Sequence, residues 1–122
     1  MIELRIAKPT PSLNVTLRQH WSTRHRMRNE WYMLIAEARG AARRWDIPKW
    51  QRVRLTIVRV SHRPITDRDN LVGGTKALTD ALVEHGYMTD DTDEVVVERV
   101  VEQEKIPRAQ PGYTMVRIEP LA

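Results

Sequence analysis

The sequence predicts one small α/β (α+β) domain, a mixed four-stranded sheet with helices packed on it, in the order β-α-β-α-β-β. Three observations predict it. At 122 residues the chain has the length of one domain and no more. Three short stretches alternate apolar and polar residues, as half-buried strands do, and a fourth is a valine-rich run. Two longer stretches repeat apolar residues at steps of three and four, as helices with one buried face do.

The elements follow in order. Ile2, Leu4 and Ile6 alternate with Glu3, Arg5 and Ala7, which predicts a strand. The Lys8–Asn14 segment holds Pro9 and Pro11, which donate no ladder hydrogen bond, so it reads as a loop. Met27, Trp31, Leu34, Ala38, Ala41 and Trp45 form the stripe of a helix that starts near Ser22–Arg26 and ends near Trp45–Asp46, ahead of Pro48. Val53, Leu55 and Ile57 predict a second strand to about Val60. Leu71, Thr75, Leu78, Leu82 and His85 mark a second helix, closed by Gly86. Val95–Val97 with Val100 and Val101 give a third strand that ends before Pro107. Pro107 to Gly112 is a turn, and the Tyr113–Ile118 alternation gives the fourth strand.

Composition narrows the chemistry. The chain has no cysteine, which excludes disulfides, thiolate catalysis and thiolate metal sites. No apolar run approaches a membrane span, and the first residues read neither as a signal peptide nor as an anchor. A soluble, cytoplasmic protein without membrane partners is expected. Charge is unevenly placed: residues 1–63 hold 14 Lys and Arg against 4 Asp and Glu, and the rest hold 6 against 12. The 16 arginines outnumber the 4 lysines, and the guanidinium fork suits phosphate. Arg18, His20, Arg24, His25, Arg26 and Arg28 surround Trp21 with no acid before Glu30. Such a stretch suits a phosphate-binding surface, and it equally suits a solvated charged face.

The acidic counterpart is Thr66-Asp67-Arg68-Asp69-Asn70-Leu71. On extended chain two aspartates two apart point to the same side, and their repulsion calls for a cation between them. Hard oxygen ligands favour Mg²⁺ or Mn²⁺. Asp90, Asp91, Asp93 and Glu94 follow the second helix, and a loop–helix–loop return brings them toward the first pair. Acids beside phosphates make sense where metal ions bridge the two for hydrolysis. Taken singly, Asp67 or Asp69 also suits a helix cap, and Asp90 and Asp91 suit a turn. The four histidines show no metal-ligand spacing, and His85 lies on a helix's apolar stripe, where a packed or interface role is expected. Gly73-Gly74 near a helix start costs about 1 kcal/mol per glycine, a cost that close backbone approach would offset.

Asp67-x-Asp69-Asn70-Leu71, Lys76-Ala77, Asp80-Ala81-Leu82, Gly86, Asp90-Asp91 and the valine-rich strand, in this order, resemble the RusA family of Holliday junction resolvases of phages and prophages. Pro11-Ser12-Leu13-Asn14 is similar to the family's N-terminal loop. The resemblance spans nearly the whole chain, with Asp67–Val101 its specific part.

It implies a homodimeric endonuclease that binds four-way DNA junctions and makes paired nicks with Mg²⁺, or with Mn²⁺ in its place, and no small-molecule cofactor. It implies Asp67, Asp69 and Asp91 as catalytic metal ligands and Lys76 as a catalytic lysine. Asn14, Arg18, Arg24, Arg26 and Arg28, with Lys76, would then hold the DNA. Two departures stand out. Lys76 follows Asp69 by seven residues where the family usually has four, which on one continuous helix keeps it on nearly the same face. The Asp90–Glu94 run is about one residue longer, which leaves Asp90 or Asp93 as substitutes for Asp91. The alternative is a nucleic-acid-binding module without catalysis.

Overall fold

The structure is a computed structural model and describes residues 1–14, 21–41 and 46–121, with the side chain of Trp21 left aside. Four strands, β1 (Ile2–Ile6), β2 (Val53–Ser61), β3 (Val96–Lys105) and β4 (Tyr113–Pro120), form one sheet in the order β1-β4-β2-β3. β4 runs antiparallel to both β1 and β2. β2 and β3 are parallel, so the chain must cross over between them, and the crossover carries the second helical region.

The alternation in the sequence is the alternation of faces. Leu4 and Ile6 of β1, Val53, Leu55 and Ile57 of β2, and Val116 and Ile118 of β4 are buried on one face. Onto that face packs α1 (Trp21–Arg39), through Trp31 and Ile35, with Met27, Leu34 and Ala38 beside them. Leu78, Ala81 and Leu82 of the second helical region complete the same core. Each large side chain buried there contributes about 1.5–3 kcal/mol against the entropy of ordering the chain.

Three expectations are corrected. α1 ends at Arg39, not near Trp45–Asp46, because Gly40 adopts φ +60°, the left-handed conformation that closes helices. Ala41 is therefore exposed, and Trp45 lies outside the described residues. The second helix is two: α2 (Arg68–Gly73) and α3 (Lys76–Glu84). Between them, the backbone N–H and hydroxyl of Thr75 both donate to the carbonyl of Val72. Third, Leu13 and Asn14 are already helical, so the first loop ends at Ser12.

The glycines at the break are pressed against this first loop. A Cβ on Gly74 would lie 1.7 Å from the Pro11 carbonyl oxygen, and one on Gly73 would lie 2.7 Å from the Leu13 side chain. The close approach is what offsets the glycine cost. On β3 only Val96 and Val101 are buried, because the register with β2 jumps from Val96 to Glu98 and turns Val97 out. His85 is packed, as its place on the stripe suggests. It stacks on Tyr32 at 4.1 Å, its Nδ1 meets Arg39 at 2.9 Å and its Nε2 meets the Tyr32 carbonyl at 2.8 Å. A guanidinium only donates and a carbonyl only accepts, so the ring is held neutral with its proton on Nε2.

Candidate functional site

The first acidic segment follows β2 and returns along the free edge of β3. The side-chain amide of Gln103 accepts from the N–H of Ile65 and donates to its carbonyl, at 2.9 and 2.7 Å. Two residues back on β3, the carbonyl of Val101 accepts from Arg68 at 3.2 Å. Two residues further back, Arg99 donates to the carbonyl of Asp91 at 3.1 Å. Two residues of strand span about 6.6 Å. β3 thus acts as a ruler on which the Ile65–Arg68 segment and the Asp91 loop are held in succession.

Asp67 is an N-cap. Its Oδ1 accepts from the N–H of Asp69 at 2.8 Å and of Asn70 at 3.3 Å, with extended backbone that ends where α2 begins. The cap corrects the expectation that Asp67 and Asp69 share one side of an extended chain. Asp69 is inside the first turn of α2, where each residue rotates the side chain by about 100°. Its carboxylate is exposed at the helix N-terminus, where negative charge is favourable.

Lys76 opens α3. Because the helix is broken at Gly74-Thr75, its direction does not follow from a continuous face with Asp69. It points instead at the second acidic cluster: its ammonium donates to Asp91 Oδ2 at 2.8 Å and pairs with Asp80 Oδ1 at 3.0 Å. These hydrogen bonds, with Asp91 first, raise the Lys76 pKa against a small desolvation. The same bond from Lys76 holds the Asp91 carboxyl below its ordinary value. Asp90 accepts from the N–H of Asp91 at 2.8 Å, and the Thr92 carbonyl accepts from Val95 and Val96. The turn reading of this loop is therefore right. Asp93 is exposed.

Arg28 of α1 reaches the same corner. Its guanidinium is 3.3 Å from Glu84 and 3.9 Å from Asp80. Arg28, Asp80, Val83, Glu84, Asp90 and Asp91 line a shallow cavity of about 230 Å³. Arg24 and Arg26 are exposed on the first turns of α1, while Arg18 and His20 lie outside the described residues. Asn14 is exposed just after the loop that docks on Gly73 and Gly74.

The structure thus joins Lys76 to Asp91, and joins the Pro11–Leu13 segment to the α2–α3 break. It does not bring the expected ligands together as a cage: among the described residues no three His, Asp or Glu side chains gather closely enough to hold one ion. The donor chemistry suits Mg²⁺ or Mn²⁺, but the Asp91 oxygen is engaged by Lys76 and one Asp67 oxygen by the helix cap. Asp80 and Arg99 were not among the expected site residues. Asp80 had a signal, since it follows Lys76 by four positions on a helix. Arg99 had none, because its contact depends on the register of β3.

No protein-family model matches this chain, and no curated protein does. Among the described residues no helix is long and apolar enough to cross a membrane.

Proposed function

We propose that this protein is a metal-dependent, structure-selective endodeoxyribonuclease of the RusA kind, acting in the cytoplasm as a homodimer to resolve four-way DNA junctions by paired nicks. The observation that carries the reading is the contact of Lys76 with Asp91, 15 residues apart, which ties the post-helix acidic loop to the end of the Asp67–Lys76 segment. The close approach of Pro11 and Leu13 to Gly74 and Gly73 supports the same reading, because it sets the segment before Asn14 against the α2–α3 break.

Asp69, the second oxygen of Asp67, and Asp91 once released by Lys76 would hold Mg²⁺ or Mn²⁺ only in a DNA-bound state that draws them closer than they stand here. Bound there, the ion would supply charge neutralisation at the scissile phosphate and an acidified water as nucleophile. The chain's own part is positioning. Lys76, protonated and exposed, is free to turn from Asp91 toward a phosphate and stabilise charge on the leaving oxygen. Arg24 and Arg26 give backbone contacts that carry no sequence information, and Asn14 lies near the strand to be cut.

A second reading has an observation of its own. Asp67 caps a helix and Asp91 neutralises Lys76, so both have structural work in a binding module that does not cleave. Asp69 decides between the two, because its side chain makes neither of those contacts. Asp69→Asn keeps the helix start and removes one charge. The nuclease reading predicts that this variant binds a four-way junction at least as tightly as the wild type while nicking in Mg²⁺ falls at least a hundredfold. Unchanged nicking overturns the assignment of Asp69, and a wild type that binds without nicking establishes the binding module.

A further inference from the structure

A cavity of about 450 Å³ lies beyond the end of α3, lined by Lys49, Trp50, Tyr87, Met88 and Thr89 among others. The helix end shapes it. Gly86 takes φ +86°, and the N–H of Tyr87 donates back to the carbonyl of Leu82 at 3.0 Å. This turn sends Tyr87 and Met88 into the core, and Trp50, half-buried ahead of β2, packs on the same core. The apolar walls are therefore held by packing. The side-chain polar groups around them are of one kind. Tyr87 is only 4% exposed, yet among the described residues its hydroxyl has no hydrogen-bond partner, and its oxygen keeps accessible surface. The indole N–H of Trp50, the ammonium of Lys49 and the hydroxyl of Thr89 have no partner there either. Burial pushes the Tyr87 pKa up, against a smaller opposing effect of Arg39, so the hydroxyl keeps its proton. Indole and ammonium only donate, and both hydroxyls can donate. Buried hydroxyls are ordinarily bonded, so the cavity suits a ligand with an apolar, planar body, several acceptors and a negative end for Lys49.

We propose that this cavity takes one nucleobase with its phosphate, the base against Trp50 and Tyr87 and the phosphate at Lys49. Every base has a face that stacks on an aromatic ring and ring nitrogens or carbonyls that accept hydrogen bonds. Lys49 is exposed at the rim and supplies a point charge for the phosphate. The cavity has room for one such group, and a paired, stacked base reaches it only by leaving the duplex. Its place fits a DNA strand. Val83 lines both this cavity and the shallow one at Asp90 and Asp91. Thr89 is two residues from Asp91, at most about 7.6 Å along the chain. A strand lying at the acidic corner thus has one unstacked base within reach of Trp50, and a free mononucleotide offers the same groups. The inference rests on the proposed function only for the source of the base. Binding here needs neither metal nor a nick, so the two readings stand or fall separately.

The test is heteronuclear NMR of the nitrogen-labelled full chain in chelator, with dAMP, deoxyadenosine, deoxyribose phosphate and a short single strand as probes. Trp50→Phe identifies the Trp50 indole signal among those of the four tryptophans. dAMP is expected to shift that signal with a Kd of about 1 mM or tighter, and the nucleoside or the sugar phosphate alone to bind about tenfold more weakly. Lys49→Met should weaken dAMP about tenfold and leave deoxyadenosine unchanged, because only the phosphate meets the ammonium. Tyr87→Phe should weaken both about threefold with an unchanged melting temperature, because its hydroxyl has no partner in the chain to lose. A strand that binds more tightly than dAMP identifies DNA as the source, and dAMP binding with the strand excluded identifies a free nucleotide. No shift of the Trp50 signal with dAMP at about 10 mM or the strand at about 1 mM overturns the inference, even for a chain that nicks junctions. Equal dAMP affinity in the wild type, Lys49→Met and Tyr87→Phe overturns it as well.

Discussion

Replacing Gly74 by alanine tests how the first loop is fixed to the site. The Cβ would sit 1.7 Å from the Pro11 carbonyl oxygen, about half of an ordinary contact distance, and the obstacle is backbone rather than a flexible side chain. Forcing extra volume into such a contact costs about 1–3 kcal/mol. Gly74 has φ −70° and ψ −6°, which alanine adopts freely, so the lost unfolded-state entropy returns about 0.4–1 kcal/mol. The clash wins, and a net loss of about 1–2 kcal/mol is expected in urea denaturation. Gly73→Ala is the control. Its Cβ meets Leu13 Cδ2 at 2.7 Å, which can rotate away, and Leu13 Cβ at 2.9 Å, which moves only with the backbone, so a smaller loss of about 1 kcal/mol, the low end for overpacking, is expected. If Gly74→Ala is as stable as the wild type, the loop does not dock where the structure has it, and the placement of Asn14 beside the site fails with it.

Two further outcomes follow from the charges. Lys76→Met should lose about 0.2–1 kcal/mol near neutral pH, a small amount because the lysine side chain is 65% exposed. The lowered Asp91 pKa makes that contribution present above its unfolded value of about 3.9 and lost as pH falls through the folded value. The raised Lys76 pKa makes it present below about 10.4 and lost as pH rises through the folded value. The stability difference between wild type and variant should thus be flat from weakly acidic to weakly basic pH and vanish in strong acid; a difference unchanged at pH of about 2 would refute the pair. Arg24→Ala with Arg26→Ala should weaken DNA binding and reduce the salt slope by about 2 at most, one phosphate contact each. An unchanged slope would move the DNA surface off α1.

The sheet was legible because each of its strands buries one face. Val53, Leu55 and Ile57, or Thr114, Val116 and Ile118, state their own orientation by alternation. The end of α1 was not, since Ala41 and Trp45 continue the apolar step past Gly40, and only the φ of +60° at that residue stops the helix. The split of the second helix was hidden for a related reason. Leu71, Thr75 and Leu78 keep helical spacing across a break whose cause, the Pro11 carbonyl, comes from a segment remote in sequence. At the candidate site, the Asp67 cap could be read from residue type and position alone. The aim of Lys76 could not, because it depends on where the crossover returns the Asp90–Glu94 loop.

The most direct measurement is incubation of the full chain with end-labelled four-way junction and with duplex of the same sequence, each with Mg²⁺ and with chelator. Paired nicks in opposed strands of the junction, present with Mg²⁺, absent with chelator and absent from the duplex, are the predicted result. A junction that is bound yet left intact in both Mg²⁺ and Mn²⁺, or cut equally well in chelator, contradicts the account.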